Sequence, residues 1–258
     1  MMLLAVDVGN TNIVIGLFDN DRLVCDWRIR TEPGMTEDEF NIKISNLFSF
    51  GKINPADIRM TVVSCVVPAM MKILDGYCRK FLGHAPRWID ANVVDMPVLY
   101  DNPEEVGADR LVNAVAAYHR YHTSLIVIDF GTATTFDAIT AAGEYIGGAI
   151  APGIGIASEA LFQRASKLPR VELFQPPATV IGKTTVHSMK SGIIFGYAEM
   201  VDGMVRRMKQ EMQSPEPRVV ATGGLAPLMR DVTTTIESVE SGLTLEGLLI
   251  ISHQFSRL

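Results

Sequence analysis

The sequence predicts an α/β fold made of two duplicated domains, residues 1–120 and 121–258, and three observations lead there. The stretch DVGNTNIVIGLF (residues 7–18) is echoed by DFGTATTFDAI (residues 129–139), an offset of 122 residues (129 − 7) that is nearly half of the 258-residue chain. Each copy opens with an apolar, β-rich run that ends in Asp and is followed by two further β-rich runs. Segments of helical period separate these openings from later apolar runs, and the length suits two domains of ordinary size.

Taken in order, LLAVD, IVIGLFD and LVCDWRIRT read as strands of an antiparallel meander, with the polar NDR as a hairpin turn. In TEPGMTEDEF, Thr36 is placed to cap a helix whose first turn is acidic, and FNIKISNLF continues that helix onto the sheet. MTVVSCVVP is then a buried strand and residues 68–82 a helix. Residues 103–121 carry apolar and small side chains at helical spacing, with Pro-Glu-Glu near the start. The second copy repeats the meander as LIVID, TTFDAIT and EYIGGAIAP. A helix over about residues 154–164 follows, then the Pro/Gly-bearing loop FQPPATVIGKT and a long helix over about residues 185–212. The strand VVATGG, a short helix and a last helix, LTLEGLLIISHQF, close the chain.

Composition excludes several functions. With 48% hydrophobic and 20% charged residues the chain is able to bury a substantial core. Its 23 basic and 29 acidic residues leave a net charge of −6, and no Lys/Arg run is dense enough to track a phosphodiester backbone, which argues against nucleic acid or anionic membranes as partners. Cys25, Cys65 and Cys78 have no CxxC spacing and are odd in number, as reduced thiols in a cytoplasmic protein would be. The run MMLLAV turns polar at Asp7 without a basic lead-in, so a buried strand is expected there rather than a signal segment or membrane span. The five histidines show no HxxxH or Cys/His spacing, so zinc chemistry has no support, and Lys183 reads as solvated surface.

Asp-x-Gly-x-Thr at the end of a buried strand carries a specific chemistry. Gly9 permits a tight turn and close backbone approach, the backbone amides that follow it through Asn10, Thr11 and Asn12 and the Thr11 hydroxyl are potential donors to phosphate oxygens, and Asp7 suits a hydrated divalent cation. The second copy offers Gly131, Thr132, Thr134 and Thr135 as donors with Asp129 as a further carboxylate. Either copy alone reads as an ordinary tight turn; two in the same strand-loop-strand context suit a polyphosphate gripped from both sides of a cleft. A third element, TGG at residues 222–224, ends another buried strand and lets backbone approach a base or ribose. No GxxxxGK[ST] is present, which removes the P-loop alternative.

These elements, in this order, resemble the acetate and sugar kinase, Hsp70 and actin superfamily, whose two duplicated ribonuclease H-like domains hold ATP in an interdomain cleft. Within it, DVGNTNIVIGLF, YDNPEEVGADRLVNA (residues 100–114), DFGTATTFDAI, YIGGAIAPG and TGG look like the signature stretches of type III pantothenate kinases. The resemblance implies two actin-like ATPase domains and ATP-dependent phosphorylation of pantothenate to 4′-phosphopantothenate, the first step toward coenzyme A. It also implies a cytoplasmic homodimer that needs Mg2+ or another divalent cation with ATP, plus a monovalent cation, K+ or NH4+.

Residue by residue, the resemblance makes Asp109 the catalytic base and places ATP on Asp7, Val8, Gly9, Asn10, Thr11, Asn12, Ile13, Val14 and Thr132. Pantothenate falls to Tyr100, Gly107, Ala108, Asp109, Arg110 and Thr184. Asp129 becomes the monovalent-cation ligand, and Asp7 holds the divalent cation through water. Without the resemblance, Asp109 reads as a helix cap, Tyr100 as a partly buried core residue and Thr184 as the N-cap of the long helix. Arg110 suits a substrate carboxylate, a phosphoryl oxygen or a salt bridge to the neighbouring glutamates. Two other readings use the same fold: a non-catalytic transcriptional accessory protein, and a kinase of another small alcohol such as a sugar.

Overall fold

The computed structural model describes residues 2–212 and 216–255. The chain begins with the expected meander of strands β1 (Met2–Val8), β2 (Asn12–Asp19) and β3 (Arg22–Arg30), with Asn20 in the left-handed region (φ 53°) at the hairpin turn. Helix α1 (Glu37–Gly51) starts in a capping box: the Glu39 N–H donates to the Thr36 hydroxyl while the Thr36 N–H donates to the Glu39 carboxylate. Strand β4 (Ile58–Cys65), helix α2 (Pro68–Tyr77) with a π-helical turn over Cys78–Leu82, and the short strand β5 (Arg87–Trp88) follow. The expected helix over 103–121 is instead a 3-10 turn at Pro103–Glu105 and helix α3 at Ala108–Tyr121, with Gly107 ending the interruption.

The second copy comprises strands β6 (Leu125–Phe130), β7 (Ala133–Ile139) and β8 (Tyr145–Pro152), then helices α4 (Ile154–Arg164) and α5 (Thr185–Glu211). Strand β9 (Arg218–Thr222), helix α6 (Ala226–Arg230) and strand β10 (Ser238–Val239) complete it, and helix α7 (Leu243–Phe255) follows. The sheets have the orders β3-β2-β1-β4-β5 and β10-β9-β6-β7-β8. These are the same order read from opposite ends. In each, the meander is antiparallel and the remaining two strands are parallel to its first strand, so the duplication read from the two Asp-Gly stretches extends to whole sheets.

Each sheet has its own core. In the first, Val6, Val8, Ile13, Ile15 and Leu17 pack with Phe40, Ile44 and Phe48 of α1 and Met70, Leu74 and Tyr77 of α2. In the second, Ile126, Ile128, Phe130 and Phe136 pack with Ile193, Val201 and Val205 of α5 and with Val219 and Ala221 of β9. Such side chains contribute roughly 1.5–3 kcal/mol each when fully buried.

The two compact units are not contiguous halves divided at 120/121. The first holds the chain up to Met96, then Asp101–Ala116 and the segment from Leu243 onward; the second holds Pro97–Tyr100 and Ala117–Gly242. Helix α7 joins the first unit because the Leu245 methyls lie where a side chain on Gly16 would go, 3.0 Å from its Cβ position, and because Gly247 lies against the Val112 carbonyl. A Cβ on Gly247 would be 2.2 Å from that oxygen. Residues 97–100 join the second unit because the Leu99 N–H donates to the Tyr145 carbonyl and the Tyr145 N–H to the Pro97 carbonyl, both at 2.8 Å. Among the described residues no helix is long and apolar enough to cross a membrane.

Candidate active site

In the first unit, Asp7 stands at the end of β1 and the loop 9–11 turns the chain into β2, closed by the Gly9 N–H donating to the Asn12 carbonyl at 3.0 Å. Val8 and Ile13 are fully buried in the core, so there only main chain is able to meet a ligand; Asn10 and Thr11 are exposed. The residue after β3 holds this loop. The Thr31 hydroxyl donates to the Gly9 carbonyl at 2.6 Å, and the Thr31 N–H donates to the Thr11 carbonyl at 3.0 Å.

The VGADR turn is built at the same end of the first sheet. The Val66 N–H donates to the Val8 carbonyl, continuing the β1–β4 pairing past the strand ends, and Gly107 lies next to Val66. Asp109 is the second residue of α3, and its Oδ1 accepts from the Arg110 N–H at 2.8 Å. A Cβ on Gly107 would lie 2.6 Å from that oxygen, so a glycine is required for the carboxylate to sit where it does. Burial pushes the Asp109 carboxyl above the ordinary carboxylate range, opposed in part by the Arg110 amide and guanidinium. Arg110 is itself buried.

In the second unit, Asp129 pairs in parallel register with Thr222, which brings the TGG turn against the second loop. The Gly131 N–H donates to the Ala133 carbonyl at 3.0 Å, and Thr132 is exposed. Gly223 has φ +91°, and a Cβ there would lie 2.5 Å from Asp129 Oδ1, so glycine is required on both counts. The loop is met from the other side by Gly153, whose N–H donates to the Thr132 carbonyl at 3.1 Å, and Pro152 is held by the Tyr197 hydroxyl at 2.9 Å.

Tyr100 and Thr184 also belong to the second unit. The Tyr100 ring packs over Gly147 on β8, half-buried. Thr184 caps α5, its oxygen accepting from the His187 N–H at 3.2 Å, and its hydroxyl hydrogen still allows it to donate. Residues 7–14 and 107–110 are therefore assembled inside the first unit, and Asp129, Thr132 and the TGG turn inside the second. Tyr100 and Thr184 sit on other elements of that second unit. The site residue that sequence reading passed over is Thr31, and the signal was available: it lies 122 residues (153 − 31) before Gly153, which closes the YIGGAIAPG stretch, the same offset as the two aspartates.

Among the described residues no cluster of three or more His, Cys, Asp or Glu could hold a metal ion alone. A divalent ion that keeps waters and substrate phosphates as ligands needs one or two carboxylates, and Asp7 beside the first loop fits that requirement. Asp129, half-buried and beside backbone-lined Gly131 and Gly223, offers a hard oxygen donor of the kind an alkali cation takes.

A family model described as "Type III pantothenate kinase" matches residues 3–207. The type III pantothenate kinase of Desulfatibacillum aliphaticivorans is 66% identical over 256 residues, covering 99% of each chain. That of Desulforapulum autotrophicum is 59% identical over 255 residues, covering 98% of this chain and 97% of its own. In fold, component A of the (R)-2-hydroxyglutaryl-CoA dehydratase of Acidaminococcus fermentans superposes with a TM-score of 0.59 at 13% identity, over 99% of this chain and 97% of that one. The likeness is one of fold: two duplicated α/β units, each built on a five-stranded sheet. A match over most of the chain and identities above one half establish that the chain belongs to the type III pantothenate kinase family.

Proposed function

We propose that this protein transfers the γ-phosphoryl group of ATP to the primary hydroxyl of pantothenate, giving 4′-phosphopantothenate and ADP at the entry to coenzyme A synthesis. Family membership supports the reaction, and the observation that carries the mechanism is the half-buried Asp109 carboxylate, set at the same end of the first sheet as the 9–11 loop. Asp109 takes the proton as the hydroxyl oxygen attacks the γ-phosphorus; one P–O bond forms and the bond to the β-γ bridging oxygen breaks, leaving ADP. Burial raises the basicity of Asp109, so it holds the proton more readily than an exposed carboxylate would.

The other assignments follow the same reading. The main chain of Asp7–Val8, residues 9–12 and Ile13–Val14, with Thr132 from the second loop, binds ATP phosphates. Tyr100, Gly107, Ala108, Arg110 and Thr184 bind pantothenate, with Arg110 as the cation for a carboxylate or phosphoryl oxygen. Asp7 holds the divalent cation through water, and Asp129 holds K+ or NH4+. Cations held there would supply positive charge that offsets the charge on the phosphates.

We further infer a cytoplasmic homodimer, favoured by exposed apolar side chains on α4 and the loop after it, among them Ile156, Phe162, Phe174 and Ile181. Incubation with ATP, Mg2+ and K+ tests the reaction: 4′-phosphopantothenate must accumulate in step with ADP. A protein that instead acts as a regulator would show neither product.

A further inference from the structure

The duplication exposes a device that both copies share, one half of it at Thr31, outside the signature stretches, and the other at Gly153, the last residue of YIGGAIAPG. Thr31 and Gly153 are each the first residue after the third strand of their sheet, following Arg30 and Pro152. Each uses its backbone N–H in the same way, on Thr11 O at 3.0 Å and on Thr132 O at 3.1 Å. The first loop is one residue longer, 9–11 against 131–132, and the two copies complete the attachment differently. In the first, the buried Thr31 hydroxyl adds a second bond, to Gly9 O at 2.6 Å. In the second, the loop rests directly on glycine: a Cβ on Gly153 would be 2.2 Å from Thr132 O and 2.6 Å from Gly131 O.

We propose that Thr31, with Gly153 as its counterpart in the second copy, is a positioning residue for nucleotide binding that fastens the loop carbonyls away from the polyphosphate. The physical need is plain. A carbonyl oxygen turned toward a triphosphate sets like partial charges together, whereas the same oxygen engaged from behind leaves that face of the loop to donors. Two carbonyls of the 9–11 loop, those of Gly9 and Thr11, are engaged by this one residue. Thr31 acts through the loop and does not itself meet the reacting atoms. The inference rests on the reading of these loops as ATP phosphate sites.

Thr31→Val keeps size, branching and the N–H but removes the hydroxyl, leaving the Gly9 carbonyl without its donor. Thr31→Ser restores it. Binding of Mg-ATP without pantothenate, measured by titration calorimetry, is set beside steady-state KM values for both substrates and the melting temperature. The expected result for Thr31→Val is an increase of about tenfold in the Kd and KM for ATP, the effect of one lost buried hydrogen bond, with the KM for pantothenate unchanged. Thr31→Ser should bind ATP as the wild type does. If Thr31→Val is too unstable to assay, Thr31→Ala must give the same split between substrates. Wild-type ATP affinity in Thr31→Val or Thr31→Ala, or equal losses in the Val and Ser variants, overturns the proposal while leaving the kinase reading intact. Failure of the wild type to bind ATP sinks both.

Discussion

Replacing Asp109 by asparagine separates catalysis from folding. Asparagine has the same shape and keeps an Oδ1 to accept from the Arg110 N–H, so the first turn of α3 stays as it is. What is lost is the proton acceptor. General base catalysis by a positioned side chain is worth about 10²–10⁴ in rate, or roughly 3–5 kcal/mol of barrier, and kcat should fall by that factor. Stability should move the other way. Burial disfavours the ionised carboxylate, so the folded protein holds its proton to higher pH than the unfolded chain does. Between those two pKa values the folded state binds more protons, and stability at this site declines as pH rises. The amide has no charge to bury, so Asp109→Asn should melt at or above the wild-type temperature at neutral pH. In the wild type, the acid limb of kcat/KM for pantothenate should lie above the ordinary carboxylate range, and in the variant that limb should vanish. Steady-state rates across pH with a thermal melt on each protein read all three outcomes. Full activity in Asp109→Asn, or a rate loss matched by loss of folded protein, would refute the assignment.

Other consequences are equally direct. Asp202, buried on α5, accepts from the amides and hydroxyls of Thr234 and Thr235; burial raises its carboxyl, but these bonds together outweigh that and hold it low. Its contribution is present above the ordinary carboxylate pKa and lost as pH falls through the lowered one, so Asp202→Ala should cost about 3 kcal/mol in urea titrations at neutral pH and little in strong acid. Gly223→Ala places a methyl against Asp129 at a left-handed backbone position, and should lower activation by K+ more than it raises the KM for pantothenate; unaltered K+ activation would remove Asp129 from the cation site. Phe162→Glu on the exposed face of α4 should shift the light-scattering mass from dimer to monomer, whereas a wild-type monomer at working concentrations contradicts the dimer outright.

Much of the architecture is visible in the residues because duplication is a strong signal. Two copies of an Asp-Gly turn at one offset predict two meanders, and the sheets carry the same order throughout. The capping box at Thr36 and the cap at Thr184 were legible for a local reason: the donor and acceptor are three residues apart. Strands β5 and β10 were not, since two residues carry no periodicity. The destination of α7 was also hidden. An apolar helix does not announce which sheet it covers, and the deciding features, Gly16 and Gly247, are far from each other in sequence. Tyr100 and Asp109 share one motif yet belong to different units, because backbone pairing at Tyr145 captures residues 97–100. In sequence Thr31 is only the polar end of a strand; its contact with Gly9 gives it meaning.

The central claim is that this chain phosphorylates pantothenate. Product analysis by phosphorus NMR, with ATP, Mg2+ and K+ and a panel of acceptors holding pantothenate, a hexose and glycerol, tests it most directly. The expected products are 4′-phosphopantothenate in equal amount to ADP, with no phosphorylated hexose or glycerol. Transfer to a sugar in preference to pantothenate, or no transfer by a folded protein, would contradict it.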